Sequence, residues 1–171
     1  MPPIDEIIER AIEVKPWMVT LVADHADIGS TVSPIDFGNA PVDFGEISSR
    51  LKDAGTNVCY FIDPSTEAVK GASRAGANAV MLDCSGFSEA RTFEEAQQEL
   101  DKIDDASQAA ANAGLGIHAS RGLTYKNIRP LVELKLIDEF IVGHAIIVRA
   151  MLVGMERAVT EMLQLIRNEP A

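Results

Sequence analysis

The sequence predicts an α/β fold in which five short parallel strands alternate with helices, as in a partial (β/α)8 TIM-type barrel or an open doubly wound sheet. One observation is a recurring junction. Lys52-Asp53-Ala54-Gly55, Arg74-Ala75-Gly76 and Asn112-Ala113-Gly114 each end an amphipathic stretch on a glycine and run within a few residues into an apolar strand. A second is that those strands are near-continuous apolar runs rather than alternating ones, which suits a parallel sheet covered on both faces. The third is length. The 171 residues suffice for one domain with a real core, but a complete eight-stranded barrel needs at least about 200.

The elements follow in order. Ile4 to Lys15 is a helix, with Ile4, Ile7, Ile8, Ala11 and Ile12 on one stripe and acids near its start, closed by Pro16. Met18 to Ala23 is a strand, followed by a long polar loop from Asp24 to Pro41. Val42 to Ala54 is a helix, Val58 to Asp63 a strand, and Pro64 to Ala75 a helix that places its proline where a missing N–H costs nothing. The strand ending at Asp83 leads through a loop to the longest helix, Phe93 to Ala113. The strand ending at Ser120, a helix from Lys126 to Leu134, a strand at Glu139 to Val142 and one long helix from Ala145 to Ile166 complete the chain. Strict alternation of this kind implies right-handed crossovers.

Composition excludes several function classes. Hydrophobic residues make up 47% and charged residues 24%, the balance of an ordinary globular domain. No apolar run approaches the roughly 20 residues that cross a bilayer. The amino terminus lacks a basic region followed by an apolar stretch, so a cytoplasmic location is expected. A formal net charge of −11 repels nucleic acid and anionic membrane, so any bound phosphate must be held locally. Cys59 and Cys84 lie inside apolar runs and read as reduced core residues. No lysine at a strand end supports Schiff-base chemistry, no glycine-rich nucleotide motif occurs, and no metal-like spacing of His, Cys and carboxylates is found.

In either architecture functional groups gather at the carboxyl ends of the strands. Those ends carry Asp24-His25, Asp63, Asp83-Cys84-Ser85-Gly86, Ser120-Arg121-Gly122 and Gly143-His144. An acid just past a strand commonly caps the next helix, which is the plain reading of Asp63 and competes evenly at Asp83. His25 reads as solvated and His118 as a hydrogen-bonded core histidine. Gly143-His144 turns a strand directly into a helix, and free N–H groups beside a glycine form an anion site. Arg121 should lie next to it, holding a phosphate or carboxylate through paired hydrogen bonds or simply pairing with Asp83 or Asp63.

Two segments add a resemblance. Gly122-Leu123-Thr124-Tyr125-Lys126-Asn127 and, after it, Val142-Gly143-His144-Ala145-Ile146-Ile147-Val148-Arg149-Ala150 are similar to the G-L-T-Y-x-N and I-G-H-A-I-I-x-R-A motifs of the pyridoxine 5'-phosphate synthase family. The likeness extends back through Phe61-Ile62-Asp63 and Val14-Lys15-Pro16 to Leu21-Val22. It implies a (β/α)8 barrel that assembles into homo-oligomers. It also implies condensation of 1-deoxy-D-xylulose 5-phosphate with 3-amino-2-oxopropyl phosphate to pyridoxine 5'-phosphate, without metal or cofactor. By the same resemblance Gly143 and His144 match the phosphate-binding pair, Gly122 a substrate-binding glycine, and Ser30 a substrate-binding threonine.

The departures from the family are specific. The chain begins where the family's third strand has ended, so it is expected to be the carboxyl-terminal portion of a barrel whose first three strands, with their histidine, arginine and glutamate, are missing. The family's proton-donating histidine is Arg121 here, and a guanidinium does not hand over a proton near neutral pH. The glutamate of the sixth strand aligns with Leu82, with Asp83 expected to face away from the site. Three readings stay open: a shortened form of a family-like protein, a non-catalytic binder of a phosphorylated metabolite or of a partner, and a phosphate-handling enzyme using Arg121, Asp83 and His144. For the 171-residue chain alone, the open apolar strand edges near Met18–Ala23 and Glu139–Val142 should promote self-association.

Overall fold

A computed structural model describes residues 1–23, 32–38 and 42–167. It contains a single parallel sheet of five strands in sequential order, flanked by helices, and so is a curled half-barrel of the TIM type. The strands are β1 (Met18–Leu21), β2 (Asn57–Ile62), β3 (Ala79–Asp83), β4 (Gly116–Ser120) and β5 (Glu139–Ile141). The helices are α1 (Asp5–Val14), α2 (Phe44–Asp53), α3 (Thr66–Arg74), α4 (Ser85–Glu89), α5 (Phe93–Asn112), α6 (Ile128–Glu133), α7 (His144–Val153) and α8 (Met155–Arg167).

Local chemistry sets most boundaries. Asp43 accepts the Gly45 and Glu46 N–H groups at 2.9 and 3.1 Å, so α2 starts at Phe44 and not at Val42. The Ser65 hydroxyl accepts the Ala68 N–H, so α3 starts at Thr66, and Ser65 rather than Asp63 is its cap. Thr92 and Glu95 form a reciprocal capping box at the head of α5. The three junction glycines take φ of 88°, 81° and 71°, which lets each helix turn into its strand within a few residues.

Three expectations are corrected. The segment after β3 is not all loop but begins with the short helix α4. Strand β1 ends at Leu21, and Ala23 instead makes an isolated antiparallel bridge to Ser33. The single terminal helix breaks at Gly154, whose φ of 85° interrupts helical geometry between α7 and α8. Arg149 of α7 then clamps Glu161 of α8 through Nε–Oε2 at 2.7 Å and Nη2–Oε1 at 3.1 Å, with Arg157 on the same carboxylate at 2.8 Å. The arginine of the Ile146-Ile147-Val148-Arg149-Ala150 motif is therefore a helix-hairpin tie.

The helix-facing core joins alternate strand residues to the helices. Val58, Tyr60, Ile62, Val80, Leu82, Ile117 and Ala119 pack with Ile47, Leu51, Val69, Ala72, Ile103, Ala106 and Leu131. Tyr60 donates to the Phe44 carbonyl and shares a hydrogen bond with Ser48, and burial pushes its phenol up to about 12. Phe37, Phe44 and Tyr60 meet edge to face with ring centroids 5.2–5.5 Å apart. Both cysteines are free and buried, their thiols pushed up to about 12 mainly by burial, in keeping with core roles.

The Arg149 and Arg157 guanidinium groups hold Glu161 down at about 2 from an ordinary 4.5. A carboxylate depressed on folding stabilises the fold fully above its ordinary value and loses that contribution as pH falls from 4.5 towards 2. Glu161→Gln is expected to lose less stability than the parent between pH 6 and pH 3, as read by urea unfolding at both values. An equal loss in the two proteins would remove the clamp from the account.

Candidate functional site

The face of the sheet opposite the helices carries the residues between those of the core. Met81 and Asp83 of β3 stand beside His118 and Ser120 of β4, partners in the parallel register, and Phe61 of β2 pairs with Met81. Phe61, His118, Ser120 and Asp83 are buried on this face without belonging to the helix-facing core. His118 lies with Nδ1 3.9 Å from Glu139 on β5, so the histidine expected in the core faces the barrel interior with a carboxylate for company.

Arg121 follows β4 in the left-handed region, at φ 72°. Its Nη1 donates to the Val32 carbonyl at 2.7 Å, its Nε lies 3.8 Å from Asp83 Oδ1, and its guanidinium sits 5.9 Å over the Phe61 ring. Of the two partners weighed for this arginine the structure selects Asp83. That carboxylate also accepts the Ser85 N–H at 2.8 Å, so Asp83 both closes a local turn ahead of α4 and serves as an ion-pair partner. Asp63 is exposed at the same rim, and burial, then Asp83 and Asp36, push its carboxyl above the ordinary range.

The expectation for β3 needs correcting here. Leu82 is fully buried in the helix-facing core, and Asp83, expected to face away from the site, is the one that turns towards Arg121. A transition-state carboxylate at the Leu82 position would point into the hydrophobic layer, so the interior face of β3 is carried by Met81 and Asp83. Sequence reasoning missed Phe61 and Glu139, which sit one strand either side of the β3–β4 pair. The signal was available, since Phe61 lies two residues before Asp63 and Glu139 four before Gly143, the even spacings that share a strand face.

Gly122 also lies in the left-handed region at φ 67°, and a Cβ there would stand 1.8 Å from the Ser88 hydroxyl. Only glycine lets this turn pass α4 so closely. Asn127 donates to the Gly122 carbonyl at 2.9 Å and accepts from the Thr124 N–H at 2.7 Å, so the Thr124-Tyr125-Lys126-Asn127 stretch shapes the turn. Tyr125 donates to the Ala158 carbonyl and ties the turn to α8.

Gly143 stands at the cap of α7 without a side-chain partner, and both Gly143 and His144 are exposed. The Gly143 carbonyl accepts from Ile146 and Ile147, which starts the helix and leaves the first N–H groups directed outward. Ser120 pairs with Ile141, so Gly122 and Gly143 each lie two residues past a register pair on neighbouring strands. Arg121, Gly122, Gly143 and His144 are thereby gathered at one end of β4 and β5. Ser30 and His25 lie outside the described residues. Among the described residues no group of three or more His, Cys, Asp or Glu could hold a metal ion, and no helix is long and apolar enough to cross a membrane.

Placing a glutamate on either face of β3 separates the two assignments. Leu82→Glu should cost at least about 3 kcal/mol, because it puts an unpaired carboxylate in the apolar layer. Met81→Glu should cost about 1 kcal/mol, being half-buried on the interior face. Equal losses in urea unfolding would overturn the face assignment.

The profile of the family described as pyridoxal phosphate biosynthesis protein PdxJ matches residues 1–168. The pyridoxine 5'-phosphate synthase of Geotalea uraniireducens (strain Rf4) is 39% identical over 167 residues, covering 98% of this chain and 70% of its own. That of Geobacter sulfurreducens is 37% identical over the same shares of the two chains. Among solved structures, the Amycolatopsis orientalis BexX/CysO complex aligns with TM-score 0.53 at 15% identity, over 96% of this chain and 66% of that one. Mandelate oxidase aligns with TM-score 0.56 at 14% identity, over 96% and 53%. The two structures share the fold.

Proposed function

The chain belongs to the pyridoxal phosphate biosynthesis protein PdxJ family, and on that footing we propose that it carries the phosphate-binding part of a pyridoxine 5'-phosphate synthase. The observation behind this reading is the start of α7. An uncapped helix terminus with exposed Gly143 and His144 follows β5 directly, level with the Gly122 turn. The peptide dipoles and free N–H groups of such a terminus favour a phosphate, and His144 adds a donor from the first helical position. The phosphorylated substrate class is that of the relatives' reaction, the condensation of 1-deoxy-D-xylulose 5-phosphate with 3-amino-2-oxopropyl phosphate. Ser30 remains a candidate contact by resemblance alone.

Chemistry is the weaker half of the reading. At the position matched to the family's proton donor, the Arg121 guanidinium is engaged with Val32 and Asp83, and arginine is a far poorer general acid than histidine. We therefore expect the 171-residue chain to bind phosphate and form no pyridoxine 5'-phosphate from the two substrates. A second reading, a binder of phosphorylated metabolites or an interaction protein derived from the family, is favoured by this same arginine. Product formation by the purified chain decides against that second reading.

Homo-oligomerisation belongs to the same proposal. Ile147, Met151 and Leu152 of α7 are 53%, 76% and 79% exposed, and β5 lies at the sheet edge. Sedimentation at micromolar concentration should show species larger than the monomer, and a sharp monomer boundary would count against it.

For the phosphate site, inorganic phosphate in several-fold excess over its dissociation constant should raise the melting temperature by about 2–4 °C. His144→Ala should abolish most of that shift. A melting temperature unmoved by millimolar phosphate, or moved equally in the variant, would remove the site.

A further inference from the structure

We propose that Arg121 is a positioning residue: its guanidinium straps segment 32–38 across the carboxyl ends of β1 and β2 and does not serve as a ligand for the bound anion. The proposal starts from what surrounds the guanidinium. Nη1 donates to the Val32 carbonyl at 2.7 Å across 89 positions of sequence, Nε faces Asp83 at 3.8 Å, and Phe61 underlies the plane at 5.9 Å. A carbonyl, a carboxylate and an aromatic face fix the planar group in one orientation, which lysine could not reproduce. The facing carboxylate also offsets the positive charge that an approaching phosphate would meet.

Among the described residues, two backbone bonds also join the segment so held to the strand ends. The Ala23 N–H donates to the Ser33 carbonyl at 3.0 Å, and the Ile35 N–H donates to the Phe61 carbonyl at 2.8 Å. These bonds, an isolated bridge and one further backbone bond, lay residues 33–35 against the ends of β1 and β2. Farther on, Phe37 closes against Gly71, where a Cβ would stand 2.6 Å from its ring, and packs on Phe44 and Tyr60. Phe37 thus fixes the far end, and Arg121 fixes the near end.

The strap builds one wall of a cleft. Ile35, Asp36 and Phe37 face Asp63, Ser65 and Arg74 around a cavity of about 270 Å³. Val32 at one end and Phe37 at the other hold this wall, and neither contact involves the Gly143-His144 helix start. Arg121 then acts on the wall of this cleft rather than on the anion. This assignment stands apart from the phosphate proposal, because the geometry it explains is that of segment 32–38.

Amide hydrogen exchange on the full chain tests it. In Arg121→Ala, the Ala23 and Ile35 amides should exchange about tenfold faster, while the Val80 and Ile117 amides in the sheet interior keep their rates. Retained protection at Ala23 and Ile35 would overturn the proposal. Should Arg121→Ala lose protection throughout, Arg121→Lys decides, since it keeps the charge and the stem but not the fork. Faster exchange confined to Ala23 and Ile35 supports the strap, and parent-like rates there overturn it. The second arm is melting in inorganic phosphate. Among variants that fold, the shift seen in the parent should persist without Arg121, and its loss together with intact Ala23 and Ile35 protection would make Arg121 an anion ligand. If the parent shows no phosphate shift, the phosphate reading falls and the exchange arm alone decides this one.

Discussion

Parallel register between β3 and β4 is the constraint on which the rest of the molecule depends. Because side chains alternate along a strand, one pairing sends Val80, Leu82, Ile117 and Ala119 to the helices and Met81, Asp83, His118 and Ser120 to the barrel interior. A slip by one residue would exchange the two sets. It would put Asp83 among Ile103, Ala106 and Leu131 and leave Leu82 facing Arg121. The apolar layer between sheet and helices therefore fixes which groups reach the strand ends, and the polar interior is a consequence of it. Asp83 can hold Arg121 only because Leu82 is held elsewhere.

Electrostatics at the rim divides the strand ends into two regions. Asp36, Asp63 and Asp83 gather near the ends of β2 and β3, where their mutual repulsion contributes to the upward shift at Asp63. Arg121 sits against them as counter-charge. Across β4, the start of α7 presents a glycine, a histidine and unpaired N–H groups. In a chain of net charge −11, an anion is best held where backbone donors converge, and Asp36, Asp63 and Asp83 stand on the Arg121 side, which favours the α7 side. An arginine next to a glycine in sequence can thus stand near an anion site while directing its donors elsewhere.

Much of this was legible in the sequence, and the exceptions have physical causes. The αβ junctions could be read because Gly55, Gly76 and Gly114 take a backbone conformation that few other residues tolerate. The alternation, the five strands and the uncapped turn at Gly143 follow from such local signals. The face of Leu82 could not be read this way. Ala79-Val80-Met81-Leu82 is apolar on both sides, so hydropathy gives no phase, and a resemblance that is one residue out of step looks the same. The break at Gly154 was hidden because apolar spacing continues through it from α7 into α8. Ser65 displaced Asp63 as cap because two residues of strand exit intervene before the helix begins, a distance that pattern does not resolve. The Arg121–Val32 contact joins residues far apart in sequence, and no local rule announces it.

The two ends of α7 link binding to assembly. Its sequence, His144 to Val153, is apolar nearly all round, the composition of a helix covered on several sides, yet none of its residues is fully buried. A helix in that position is held by the Arg149–Glu161 clamp to α8, while Ile147, Met151 and Leu152 remain open to solvent. The N–H groups that would bind an anion belong to the first turn of this same helix, and the ends of helices are the parts that fray. Any surface that covers Ile147 and Met151 restrains the turn bearing Gly143 and His144, and so lowers the entropy lost when an anion orders it. On the proposed reading, affinity for phosphate would be coupled to the covering of α7, and by reciprocity phosphate would favour the covered state. In that reading the glycine and histidine would supply the donors, and the apolar face behind them would set how well those donors are held.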